Sequence, residues 1–179
     1  MKITLTKQEI IKGLNLPENC DIEISSEKQD KLDEFWTITD PHNVKTSELI
    51  KQARELFKVY IYDEKDIDKQ FPAPKKDIIV SFRKSYEPDK EHLGKSYIRC
   101  IDEGIPVITL RQYFILAMKV FKEEGKHLDT IGWTIGAPRA VDGDVPNMYW
   151  DPSYDTVFVY YRGVDRYDSS GGVRQQFYL

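Results

Sequence analysis

The chain has 179 residues, a formal net charge of −4 and a pI near 5.5, which exclude binding to phosphate backbones through a general excess of Lys and Arg. A hydrophobic content of 40% and a charged content of 31% exclude a disordered chain and leave one domain with a core of its own. Two cysteines, Cys20 and Cys100, stand outside any CxxC motif and exclude a disulfide framework, so both are expected as reduced thiols.

The opening reads β-α-β over residues 1–25. Lys2 to Leu5 alternates as a strand, Thr6-Lys7-Gln8-Glu9 matches a capping box, Pro17 stops the short helix, and Asp21 to Ser25 resumes as a strand. No signal-peptide apolar region is present, and the later apolar runs are too short to span a bilayer. The expected compartment is therefore the cytoplasm, with no membrane partner. Residues 26–34 carry almost no apolar side chains and read as a linker or loop before a main domain at 35–179.

Phe35 to Thr39 predicts a strand, closed by the turn Asp40-Pro41-His42-Asn43. Thr46 or Ser47 is expected to cap a helix through Phe57, with Leu49, Ile50, Ala53 and Leu56 at helical spacing. Val59 to Tyr62 and Ile78 to Phe82 predict strands. Pro88 is placed to open a helix toward Glu103, which Gly104 and Pro106 end. Thr109-Leu110-Arg111-Gln112 is a second capping box. The helix it starts runs to about Glu124, stops at Gly125, and is apolar on more than one face, as a central core helix should be.

After Lys126 the composition changes: residues 127–179 hold no Lys and no Glu, only seven Asp and four Arg among the charged types. Lys and Glu favour helices and Asp favours turns, so the shift predicts a hairpin-rich C-terminus. Strands are expected at Ile131 to Ile135, Val145 to Trp150, Thr156 to Arg162 and Val173 to Tyr178, with a turn at Asp151-Pro152-Ser153-Tyr154. The fold class that follows is α+β, a mixed or mainly antiparallel sheet packed on the 110–124 helix.

Motifs for chemistry are scarce. Gly94-Lys95-Ser96 ends like a phosphate-binding loop, but Asp89 stands where the first glycine belongs and Glu91 adds a repelling carboxylate. Asp142-Gly143-Asp144 lacks calcium-loop spacing and reads as a turn. His42, His92 and His127 fall in separate segments, so neither a metal nor another cofactor is expected. One alternative keeps a small hydrolase or transferase, with His127, Arg139, Asp142 and Asp144 around its site.

The leading expectation is a non-enzymatic protein-interaction module. Period-two alternation puts Tyr160 and Arg162 on one strand face and Arg174, Gln176 and Tyr178 on another. If those strands were neighbours, the five would form one solvent-facing surface, extended by loop residues Arg139, Arg166 and Tyr167. Arg, Tyr and Trp dominate protein-interface hot spots. A second alternative is nucleic-acid binding through the same face. The opening KITLTKQEIIKGLNLPENCDIEI also resembles the starts of some small bacteriophage-encoded proteins, which implies a phage or mobile-element origin and no particular activity.

Overall fold

The computed structural model describes residues 34–178. In chain order they form β1 (Phe35–Asp40), α1 (Thr46–Arg54), β2 (Lys58–Ile61), α2 (Ile67–Gln70), β3 (Ile78–Arg83), a 3-10 turn (Lys90–His92), α3 (Tyr97–Asp102), α4 (Leu110–Glu124), β4 (Trp133–Ile135), β5 (Val145–Asp151), β6 (Thr156–Arg162) and β7 (Gly171–Val173). The expected β-α-β unit and the connection behind it, up to residue 33, lie outside the described residues.

Helix α4 starts and stops as its sequence dictates. Thr109 accepts from the Gln112 amide while Gln112 reaches back to the Thr109 amide, completing the capping box. Gly125 ends it at φ 67°, the left-handed conformation that glycine adopts without a Cβ penalty. Leu110, Tyr113, Phe114, Leu116, Ala117 and Val120 are all buried, so the helix is apolar on several sides because the core surrounds it. Helix α1 and strand β1 pack on it.

The fold is α+β. Five strands make a mixed sheet in the order β2-β6-β5-β4-β7: β5 runs antiparallel to β6 and β4, whereas β2 lies parallel to β6 and β7 parallel to β4. Strands β1 and β3 form a separate antiparallel pair. The chain after β7 stitches the two together, because Phe177 and Ser81 exchange backbone hydrogen bonds of 2.9 Å and Gln175 bridges Val107.

Three local expectations are corrected. No side chain caps α1; its N-cap is Lys45, and the helix stops at Arg54. The Thr46 hydroxyl is instead buried, donating to the Phe71 carbonyl and accepting from Arg111 Nη1 at 3.0 Å. Asp68 supplies the missing cap from outside the helix, accepting from the Ser47 amide and hydroxyl at 2.8 Å. The helix expected from Pro88 to Glu103 is two short pieces, because Gly94 takes φ 71° and Ser96 caps a fresh start. The backbone on either side of the first piece hydrogen-bonds to β7 instead: Asp89 N to Val173 O at 3.1 Å, Gly94 N to Gly171 O at 2.8 Å. Finally, the last strand is short, and only single bridges continue it past Val173.

Candidate functional site

Strand β6 alternates cleanly. Val157 and Val159 are buried, while Phe158 and Tyr160 point to the opposite face. Register carries that face across its neighbours, since Tyr60 of β2 and Tyr149 of β5 both lie opposite Phe158. Tyr62 follows β2, and Tyr154 sits in the β5–β6 turn. Their rings form one connected layer. Phe158 stacks on Tyr160 (5.9 Å, 8°) and on Tyr149 (5.6 Å, 23°); Tyr60 meets Phe158 at 5.6 Å, Tyr62 meets Tyr160 at 6.1 Å, and Tyr154 presents an edge to Phe158 at 5.9 Å. Aromatic pairs at these separations are attractive beyond the area they bury.

The layer is open to solvent. Tyr62 is 68% exposed, Tyr154 67%, Tyr60 45% and Tyr160 36%. Tyr149 is half-buried, and burial raises its phenol pKa, helped by Tyr160 and Asp151 beside it. The charges around the rings are mixed: Lys58 lies 3.5 Å from Asp155, and Asp151 ends β5. Arg162, at the far end of β6, is half-buried with its guanidinium 4.0 Å over the Trp133 ring.

Of the eight residues expected to share one surface, Tyr160 stands on this face and Arg162 at its margin. The others are dispersed, because β5 and β4 separate β6 from β7. Arg174, expected in solvent, is 1% exposed. It donates to Asp129 Oδ1 at 2.6 Å, to the Ser85 and Tyr86 carbonyls at 2.6 and 2.8 Å, and to Thr134 Oγ1 at 3.2 Å. Gln176 is buried too, donating to Gln112 Oε1 at 2.8 Å; Tyr178 is exposed but bonds to Gln176 at 2.6 Å. Arg139 is buried over Tyr161 and paired with Asp63 at 3.0 Å and with Asp142. Arg166 and Tyr167 lie in the exposed β6–β7 loop.

The alternative catalytic set is also split. The Arg139 amide bonds to the Asp144 carbonyl just before β5, whereas His127 stacks on Trp150 at its other end (4.4 Å, 7°). Strand rise puts those ends roughly 17 Å apart. Burial lowers the His127 pKa, against the pull of Asp155. Gly143 at φ 82° and an Asp142 side chain accepting from the Asp144 amide make the Asp-Gly-Asp run a turn. Among the described residues no group of three His, Cys, Asp or Glu side chains is placed to hold a metal. No described helix is long and apolar enough to cross a membrane.

Sequence reasoning put Phe158 on the Tyr160 face but overlooked Tyr60, Tyr62, Tyr149 and Tyr154. The alternation of β6 was legible, but the parallel pairing that brings β2 beside it was not. Comparison of the chain with protein families, with curated proteins and with solved structures finds no match.

Proposed function

We propose that this domain is a non-enzymatic protein-interaction module whose contact surface is the aromatic face of β2, β6 and β5. The observation that supports the reading is the solvent-exposed layer of Tyr60, Tyr62, Tyr149, Tyr154, Phe158 and Tyr160. The ring pairs support the sheet, but the ring area that four tyrosines leave in water contributes no burial in the isolated domain, whereas burial by a partner removes a large apolar area at small entropic cost. Tyrosine hydroxyls at the surface satisfy a protein partner's polar groups as its side chains pack on the rings.

The mixed rim favours protein over nucleic acid. A single-strand platform pairs aromatic rings with a cationic groove, and Lys58 here is offset by Asp151 and Asp155. The test compares the wild-type chain with the Tyr62→Ser/Tyr154→Ser/Tyr160→Ser variant in cross-linked capture from host extract. A protein retained by the first and lost by the second, unaffected by nuclease and by raised salt, supports the proposal. Equal capture by both, or capture abolished by nuclease, refutes it.

A further inference from the structure

A cavity of about 300 Å³ opens between the end of β1, the chain after α2 and the start of α4. Phe71, Pro72, Pro74, Ile78 and Pro138 make most of its wall apolar. Backbone bonds hold the 137–140 side in place, from Ala137 N to Ile108 O and from Ala140 N to Gln70 O, both at 2.8 Å. Two polar side chains also line the cavity, Asp40 and Gln112, and each residue is 2% exposed. Both Arg111 bonds to the Asp40 carboxylate reach Oδ1, at 3.0 and 2.8 Å. Both bonds to the Gln112 side chain reach Oε1, from the Thr109 amide at 2.9 Å and from Gln176 Nε2 at 2.8 Å. Two donors on one oxygen fix which way the Gln112 amide points. Among the described residues, the acceptor Asp40 Oδ2 and the donor Gln112 Nε2 are therefore left without a hydrogen-bond partner. Polar groups on buried side chains cost free energy until something bonds to them.

We propose that this cavity binds a small, flat, uncharged molecule that carries an amide group. An amide is the smallest neutral group with both complements: its N–H donates to Asp40 Oδ2 and its carbonyl accepts from Gln112 Nε2. The charges call for a neutral ligand, because Asp40 and Arg111, both buried, already offset one another at 2.8 Å. An anion would meet the free Asp40 oxygen. A cation would meet the Gln112 N–H groups beside the Arg111 guanidinium. The Phe71 ring and the proline rings offer flat apolar faces for a planar body. Apolar walls with a few placed polar groups are the usual make-up of small-molecule sites, and the volume falls at the lower end of their range. The cavity shares no residue with the aromatic face, so this inference and the functional proposal above stand or fall separately.

Titration of the nitrogen-15-labelled full chain with benzamide, benzoate and benzamidine tests it, since the three share a shape and differ in charge and donor pattern. Benzamide is expected to move the Gln112 side-chain amide signals and the backbone amides of Ala137 and Ala140, with the two charged analogues far weaker. Gln112→Glu keeps an acceptor for Thr109 and Gln176, and glutamate serves equally at this position of a capping box, but the free donor is gone. Benzamide should bind that variant roughly tenfold less tightly, about the worth of one hydrogen bond. Ala140→Phe blocks the cavity from an exposed position, leaves both polar groups in place and should abolish binding even if Gln112→Glu fails to fold. The amide spectrum of each variant reports its folding. No shifts at the cavity with benzamide overturn the proposal. So does benzoate or benzamidine binding as tightly as benzamide, or undiminished binding by either folded variant.

Discussion

Replacing Arg174 by Ala removes the cation from the deepest polar cluster in the described residues. Asp129 is 0% exposed and sits at φ 55°. Among the described residues, Arg174 alone offsets its charge through an ion pair, at 2.6 Å. Breaking a buried pair from one side costs about 3–5 kcal/mol, because the remaining charge is left without compensation. The Ser85 and Tyr86 carbonyls also lose their donor, and an orphaned buried acceptor costs about 1–3 kcal/mol, a loss that overlaps the first. Against a total stability of roughly 5–15 kcal/mol, a loss of about 4 kcal/mol leaves a folded but fragile domain.

Urea denaturation followed by tryptophan fluorescence measures the loss. Its pH dependence identifies the mechanism. Burial raises the Asp129 pKa above its ordinary 3.8, against the pull of Arg174, and removing the arginine raises it further. A carboxyl whose folded pKa is raised binds its proton more tightly when folded. Its contribution is therefore kept at low pH and lost as pH rises through the folded pKa. The Arg174→Ala defect should be smaller near about pH 4 than at neutral pH. Adding Asp129→Asn should recover part of it, since Asn tolerates the left-handed backbone. A loss below about 1 kcal/mol that is flat with pH would refute the reasoning, because it would mean that water already solvates the pair.

Thr109→Ala should destabilise the domain by about 1 kcal/mol through loss of half the capping box, read as a shift of the urea midpoint at constant slope. Gly125→Ala should cost about 1 kcal/mol, because its φ of 67° is strained for any residue with a Cβ; helix-end fraying by hydrogen exchange locates the effect. At Asp68, burial pushes the pKa up, but the bonds from Ser47 outweigh it and the carboxyl ends below its ordinary value. The support it gives α1 is present above the ordinary carboxylate pKa and lost as pH falls through the folded one; Asp68→Asn should remove that acid sensitivity at the Ser47 amide.

Elements governed by local chemistry were legible in the sequence. Thr109, Gln112 and Gly125 bound α4 by contacts within one turn, and its apolar sides announce a buried helix. Alternating residues mark β6, and the loss of Lys and Glu after residue 126 marks the change to strands. Strand order was not legible, because hydrogen-bonded pairing joins residues that share no local pattern. The sequence places Arg162 and Arg174 alike, as arginines in alternating tyrosine-rich strands. Tertiary structure sends one over Trp133 at the sheet margin and seals the other against Asp129, since β5 and β4 intervene between their strands. It also brings β2, which is about a hundred residues earlier in the chain, beside β6. That pairing turns the tyrosines of separate segments into one surface, because a parallel neighbour keeps equivalent residues on the same face.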